Sequence, residues 1–530
     1  MTGTAARRWL GAAAAGIIAF AVPLALTAAP AHAETGAWKA IASGSGHTCA
    51  IADDSHVYCW GDNTLGQIGA PSTIPVAPAP TEGSTAKPAP APAPAPIPTP
   101  TPVEGAVAGQ TFIAIAAGDN HTCALSSDHK VLCWGASGNG QLGNGVQPTE
   151  GGPTFSATAV DIVGNLAGLT VNSLAAGGNT SCAITSDGVT YCWGDNSAGQ
   201  LGIGAAGPPR ATPTGVSTRG VLRDRTVTQV AVGTDHACAV DSTGIGYCWG
   251  NNKYGQIGSG VPHRGGEGGQ YLLPTKLDPL FTAANKVSHI SAGSSFSCAT
   301  ATPSGSSIAI AYCWGELIKG RLGDGYSGTN QDASVFSPTA VPTKQAADPT
   351  KDAVLAGRDL RAVSSAGATT CVLDRVGSAV CWGDSETGQV GNGEAGSPKP
   401  LPPTAVVTAR PYAGVGLAGI SVGTNHVCGV NAAKAGGAAS CWGSNGTGQL
   451  GLGVLNTTVT GTPRAVISAT ASPSPAPTSS GGPTDPATPD TPTASSGGGS
   501  WVTTLLAFLA GVVVASLGAV LISRRRAPTA

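Results

Sequence analysis

The chain has 530 residues, of which 78 are glycine, 40 proline and 14 cysteine, with only 11% charged residues and a formal net charge of −2. Setting aside Arg7, Arg8 and Arg524 to Arg526 leaves 22 basic against 29 acidic residues, a net charge of −7. That balance excludes nucleic acid as a partner, because displacing its counterions needs a basic patch.

Residues 1–33 carry Arg7 and Arg8, an apolar run from Ala12 to Leu26 and the small-residue site Ala31-His32-Ala33. This is the layout of a signal peptide cut before Glu34, and it places the mature chain in an oxidising compartment. Arg7-Arg8-Trp9-Leu10 has the paired arginines of twin-arginine export, which ordinary signals share.

From residue 37 to about 468 one unit recurs seven times. A cysteine-bearing segment leads to Cys-Trp-Gly and then to Gly-Gln-(Leu/Ile/Val)-Gly; the clearest copy runs Ser181-Cys182-Ala183-Ile184, Tyr191-Cys192-Trp193-Gly194, Gly199-Gln200-Leu201-Gly202. The anchoring tryptophans, Trp60, Trp134, Trp193, Trp249, Trp314, Trp382 and Trp442, lie 56 to 74 residues apart, room for four short strands and a loop. A unit of this size cannot bury its own apolar face. Seven copies fit a closed ring better than an open array, so length that permits several domains is spent on one. Near-alternation in 171–176 and 226–232 supports strands. Gly188, Gly244 and Gly377 each fall where a three-residue hairpin loop needs a left-handed residue.

Gly118-Asp119-Asn120-His121-Thr122-Cys123-Ala124-Leu125, Cys133-Trp134-Gly135 and Gly140-Gln141-Leu142-Gly143 resemble the regulator of chromosome condensation repeat family, as do Gly233 to His236, Tyr247 to Asn252 and Gly255 to Gly258. The resemblance covers about four fifths of the chain. It implies an all-β, seven-bladed propeller, here in a secreted bacterial member anchored to a membrane. The family's nuclear relatives engage chromatin and promote nucleotide exchange on a small GTPase; neither partner suits an exported chain, and none of those residues is carried over. The fifth copy departs from the pattern with Phe296-Ser297-Cys298 and Gly320-Arg321-Leu322-Gly323, and copies three and six place Thr180 and Thr370 in the histidine position. His47, His121, His236 and His426 remain there. Because the repeat spreads them around the ring, a turn-stabilising hydrogen bond is expected of them, with no metal or catalytic role.

The cysteines form seven pairs, one per blade: Cys49 with Cys59, Cys123 with Cys133, Cys182 with Cys192, Cys238 with Cys248, Cys298 with Cys313, Cys371 with Cys381 and Cys428 with Cys441. Five pairs are ten residues apart, which sets them nearly opposite each other across a symmetric hairpin, within disulfide reach. The alternative is reduced cysteine packing as a small apolar residue. The oxidising compartment favours seven intrablade disulfides, and the absence of Cys-x-x-Cys disfavours zinc.

Two low-complexity stretches accompany the propeller, assigned to 34–468. Residues 71–103 are rich in proline and alanine, with proline at every second position from Pro88, and are expected to form a polyproline II arm that projects from the ring or drapes across a face. Residues 469–500 read as a Pro/Ser/Thr/Gly stalk spanning about 30 Å. Residues 501–523 are uncharged and apolar, long enough for a transmembrane helix, and the basic tail 524–530 follows. Positive residues stay cytoplasmic, so the propeller is expected outside the cell membrane on a single-pass anchor. Leu401-Pro402-Pro403-Thr404-Ala405 looks like a wall-sorting pentapeptide but lies about a hundred residues before the apolar run.

Catalytic signals are lacking. Four Gly-x-Gly-x-x-Gly matches, starting at Gly138, Gly202, Gly323 and Gly391, are repeat loops in a glycine-rich chain and open no helix after a strand. There is no Gly-x-Ser-x-Gly elbow, no His-Glu-x-x-His and no calcium loop. Asp62-Asn63, Asp195-Asn196 and Asp384-Ser385 are expected to cap turns. The long loops 259–285, 324–350 and 392–416 and their surroundings hold Tyr254, Tyr271, Phe281, Tyr326, Phe336 and Tyr412, candidate interface anchors that could equally pack on their own blades. The expected function is a non-enzymatic cell-surface propeller, without cofactor, that binds a protein or a cell-wall polymer. An extracellular hydrolase or lyase acting on glycans and a structural surface protein are the alternatives.

Overall fold

The structure, a computed structural model, describes residues 37–70, 95–107, 109–147, 155–218, 220–261, 269–324, 334–342, 354–394, 396–407, 416–432, 437–456 and 459–468. Consecutive strands form seven four-stranded antiparallel sheets. Blade 1 consists of β1 (Trp38–Ser43), β2 (His47–Ala52), β3 (Val57–Gly61) and β4 (Ile97–Pro102). Blades 2 to 7 repeat it with β5–β8 between residues 112 and 161, β9–β12 between 171 and 215, β13–β16 between 227 and 276, β17–β20 between 285 and 340, β21–β24 between 360 and 405, and β25–β28 between 417 and 465. The second and third strands of each blade are almost entirely buried, because neighbouring blades cover both faces.

All seven expected disulfides are present: Cys49 with Cys59, Cys123 with Cys133, Cys182 with Cys192, Cys238 with Cys248, Cys298 with Cys313, Cys371 with Cys381 and Cys428 with Cys441. Within every blade the two cysteines stand directly opposite each other on the second and third strands. Their Cα atoms are 4.0–4.1 Å apart. The hairpin position six residues after the first cysteine is left-handed, with φ of 81° at Gly188, 84° at Gly244 and 86° at Gly377. Ser55 and His129 adopt the same conformation at φ 67° and 65° without glycine's freedom.

One device joins all seven blades. Each anchoring indole N–H donates to the main-chain oxygen of the Gln position in the preceding blade: Trp134 to Gln67 (3.0 Å), Trp193 to Gln141 (2.9 Å), Trp249 to Gln200 (2.8 Å), Trp314 to Gln256 (2.9 Å), Trp382 to Arg321 (3.0 Å), Trp442 to Gln389 (2.9 Å) and Trp60 to Gln449 (2.9 Å). A buried indole needs such an acceptor. The last glycine of Gly-Gln-Leu-Gly makes room for that ring: a Cβ on Gly202, at φ 65°, would stand 2.7 Å from Trp249. The bond from Trp60 closes the circle, and the backbones of Trp38 and Gly437 exchange hydrogen bonds of 2.9 and 3.1 Å across the same junction.

The proline-rich stretch differs from expectation. Its last part, Ile97–Pro102, is the outer strand of blade 1, with Cys59 opposite Thr101. An outermost strand pairs along one edge only, so prolines at alternate positions can turn their missing N–H to solvent. Residues 71–94 lie outside the described residues, as do the expected leader, stalk and membrane span. No helix among the described residues is long and apolar enough to cross a membrane.

Candidate binding face

The ring has two loop-bearing faces. On the upper one lie the turns between first and second strands and the Gly-Gln-(Leu/Ile/Val)-Gly loops; on the lower one lie the disulfide-bearing hairpins and the connections between blades. Polar side chains fix the upper loops. Asp62, Asp195 and Asp384 each accept a main-chain N–H two residues on at 3.0 Å, and Asn63, Asn196, Asn252 and Asn445 accept the N–H five residues on at 3.0–3.2 Å. These are turn caps.

The four histidines are buried and bridge blades; they do not stabilise turns by their side chains. Nε2 of His47, His121, His236 and His426 lies 2.8–2.9 Å from the hydroxyl of Thr122, Ser181, Ser297 and Thr48 in the following blade. Thr48, Ser181 and Ser297 donate onward to the oxygens of Gln449, Gln141 and Gln256. Each of these three hydroxyls therefore accepts from its histidine, which carries its proton on Nε2. Burial lowers the pKa of His47 and His426 to about 3 and that of His121 to about 4, with His426 and His121 adding to the effect on His47. In blade 6 the pairing Thr369↔Gly383 puts Thr369, one residue before the expected Thr370, in the histidine position. Thr370 occupies the hydroxyl position and lies 3.1 Å from the Ser365 hydroxyl.

Of the six candidate aromatics, three share one sector of the upper rim. Tyr254 is half-buried with the Lys253 ammonium 4.9 Å from its ring centroid. Tyr271, opposite Gly250 on β16 (Gln270–Lys276), lies 3.3 Å from the Ser259 hydroxyl. Phe336, half-buried on β20 (Ser334–Ala340) of blade 5, packs so closely on blade 4 that a Cβ on Gly255 would stand 2.8 Å from its ring. Phe281 is a correction. It lies in α1 (Pro279–Ala284), whose N-cap Asp278 accepts from Leu280 and whose first position is proline; this turn directs the ring into the core, 7% exposed and edge-on to Tyr312 at 4.9 Å. Tyr326 and Tyr412 lie outside the described residues.

Beside that sector blade 5 replaces the neutral pattern with charge. Arg321 stands where six blades have glutamine and pairs with Glu316, their side chains 6% and 8% exposed, while the guanidinium lies 5.6 Å from the Phe296 ring centroid. Burial pushes Glu316 up and Arg321 down, and each charge opposes the shift of the other. At the surface Lys319 meets Asp384 of blade 6 at 2.6 Å and lies 3.9 Å from Glu386. A central channel of about 510 Å³ is lined by small residues of the innermost strands, among them Ser43, Ala117, Ser365 and Ser421, with Asp119 at its upper mouth. Among the described residues no group of three or more His, Cys, Asp or Glu is placed to hold a metal ion.

The outer strands carry a signal that the repeat pattern did not expose. Pro100-Thr101, Pro213-Thr214, Pro274-Thr275, Pro338-Thr339 and Pro403-Thr404 each set a threonine opposite the second cysteine of the blade. Each threonine hydroxyl donates back to the carbonyl two residues earlier, at 2.7–3.2 Å.

Comparison with known proteins agrees with this geometry. The RCC1-like domain matches residues 99–474, and regulator of chromosome condensation (RCC1) repeats match 38–67 and 54–125. The Homo sapiens E3 ubiquitin-protein ligase HERC2 is 30% identical over 285 residues, 53% of this chain and 5% of that protein, so the chain spans a small part of that relative. The Arabidopsis thaliana ultraviolet-B receptor UVR8 is 28% identical over 357 residues, 67% of either chain. Among solved structures, yeast RCC1 (Prp20) bound to Kap60 aligns with a TM-score of 0.59 at 21% identity, covering 80% of this chain and 85% of that one. Human WBSCR16 aligns with a TM-score of 0.58 at 21% identity, covering 75% and 87%. At these identities the structural likeness shows the fold.

Proposed function

Because the chain belongs to the RCC1-like domain family, we propose that it is a non-enzymatic binding propeller that takes a protein partner on the upper rim of blades 4 and 5. The observation that carries the reading is the gathering of Tyr254, Tyr271 and Phe336 in one sector beside Lys253. Clustered aromatic rings are what protein interfaces use as anchors. Yeast RCC1 (Prp20), which shares the fold, has been solved with Kap60 bound to it. The leader 1–33 and the apolar run 501–523 support a membrane-tethered protein with its propeller outside the cell, where the stalk 469–500 holds it near the surface.

The test is affinity capture from cell-surface extracts with the wild-type propeller and a Tyr254→Ser, Phe336→Ser variant of unchanged thermal stability. A protein or glycan retained by the wild type and lost by the variant is expected. Equal retention by both moves the site elsewhere, and a glycan that is cleaved while bound favours a hydrolase or lyase. Protease treatment of intact cells tests the location: removal of the propeller is expected, and full protection contradicts the outward orientation.

A further inference from the structure

Beyond the tryptophan bond, adjacent blades share three recurrent links. The first joins a histidine to the next blade's hydroxyl, at junctions 1|2, 2|3, 4|5 and 7|1. The second is a main-chain bond along the upper inner rim: Ser45 to Asp119 (3.0 Å), Asp119 to Gly178 (2.9 Å), Thr234 to Gly293 (3.4 Å), Ser294 to Gly367 (3.2 Å) and Thr424 to Gly44 (3.3 Å). The third lies on the channel wall. Opposite the first cysteine, blades 5, 6 and 7 carry Ser291, Ser364 and Ser421, whose hydroxyls accept the N–H of Ser365 (2.8 Å), Val422 (3.0 Å) and Ser43 (2.9 Å) in the next blade. Blades 1 to 4 have Ala42, Ala116, Ala175 and Ala231 there. At 4|5 the Gln229 amide takes over, bonding both the N–H and the oxygen of Ile290.

Junction 3|4 has none of the three among the described residues. Thr180 fills the histidine position, Ala237 the hydroxyl position and Ala175 the serine position. Junction 6|7 also pairs threonine with an apolar residue, Thr369 with Val427, but it keeps the Ser364 bond and adds Thr387 to the Asn425 oxygen (2.9 Å) and Arg361 to the Ala418 oxygen (3.0 Å). At 3|4 there remain Trp249 to Gln200, Gly204 to the Leu272 oxygen (2.9 Å), Val227 to the Gly188 oxygen (3.1 Å) and Gln270 to the Ser197 oxygen (3.4 Å). The rest is apolar packing of Ile184, Leu201, Val230, Val232 and Tyr247. Apolar packing is non-directional and holds faces together without fixing their register, whereas hydrogen bonds between blades fix it.

We propose that junction 3|4 is the opening seam of the ring, the place where two blades part while the other six junctions hold. It is a conformational device next to the proposed binding sector, since Tyr271 lies between Gln270 and Leu272, which bond across 3|4, and it differs from 7|1, where no chain connects the blades and all three links are present.

Hydrogen exchange with mass spectrometry on the full chain at neutral pH tests this. Segments 200–206 and 225–232, whose Gly204 and Val227 amides bond across 3|4, should exchange at least tenfold faster than segment 451–455, whose Gly453 amide bonds across 7|1. Installing the missing link with Thr180→His and Ala237→Ser together should slow them about tenfold, while neither single variant does. In a second variant, His47→Thr with Thr122→Ala, exchange across 1|2 should quicken but stay slower than at 3|4, because the Ser45 to Asp119 bond remains. Equal exchange at 3|4 and 7|1, or a double variant without effect on 3|4 in a protein with unaltered protection elsewhere, overturns the proposal.

Discussion

Blades 3 and 5 solve the same packing problem with opposite chemistry. In blade 3 Gln200 is neutral; its Oε1 accepts from Ala198 at 2.9 Å and its Nε2 donates to Asp195 at 2.9 Å. In blade 5 Arg321 takes that place, Glu316 follows Trp-Gly where Asp195 does, and Phe296 stands in the histidine slot under the guanidinium. Yet Trp249 and Trp382 bond to the oxygens of Gln200 and Arg321 at 2.8 and 3.0 Å. The main chain of the loop is what the ring requires. Its side chain is open to replacement, provided the partners change together.

The largest expected effect separates histidine blades from blade 5 by acid. His47, His121 and His426 have folded pKa values of about 3, 4 and 3, below the ordinary 6.5, because burial disfavours their charge. Between pH 6.5 and about 4 the unfolded chain therefore binds more protons than the folded one, and stability falls as pH falls. Each histidine contributes about 1.4 kcal/mol per pH unit, about 4 for the three together. Above pH 6.5 all three are neutral in both states and the dependence vanishes. Denaturant titrations from pH 7 to 4.5 should show this slope. Giving junction 2|3 the phenylalanine and threonine of junction 5|6, by His121→Phe with Ser181→Thr, should reduce it by about a third, and an unchanged slope would refute the assignment.

The second effect tests the charged solution itself. Glu316→Gln leaves the Arg321 charge buried and uncompensated, at a cost of about 3 kcal/mol. Asp195→Asn keeps an acceptor for Gln200 on a half-buried side chain and should cost less than about 1 kcal/mol. Reverting all three positions, Phe296→His, Glu316→Asp and Arg321→Gln, should be neutral or stabilising, since a buried ion pair seldom outperforms neutral packing. Thermal melts of the three variants decide it; equal losses for Glu316→Gln and Asp195→Asn would mean that the two loops tolerate charge alike.

Much of this was legible in the sequence, because covalent regularity and packing regularity coincide. Cysteine spacing predicted seven bridges, and even the pairs 13 and 15 residues apart, Cys428 with Cys441 and Cys298 with Cys313, sit opposite each other, since extra residues are absorbed in the hairpin. The histidines were recognisable as structural, but not as links between blades. Their partners Thr122, Ser181, Ser297 and Thr48 belong to the next repeat, 60 to 378 residues away, where no local pattern points. Composition alone made an arm of 97–102, because proline excludes a central strand and only the neighbour's free edge shows that this one is outermost. Phe281 looked like a loop anchor because the six-residue α1 is too short to give a periodic signal.

The smallest effect concerns the hairpins, whose left-handed position is serine in blade 1 and glycine in blade 3. Gly188 occupies the left-handed position at φ 81°, whereas Ser55 is held at φ 67° and accepts a 2.8 Å bond from Lys39. A residue with a Cβ pays a steric penalty there that glycine does not. The bond to Lys39 is exposed and worth little against it. Ser55→Gly should therefore stabilise the fold by about 0.5 kcal/mol, after the extra freedom glycine gives the unfolded chain is deducted. Gly188→Ser should destabilise blade 3 by more, since its Cβ would also stand 2.5 Å from the Thr226 methyl. A denaturant midpoint that falls for Ser55→Gly would show that the serine contact outweighs the backbone.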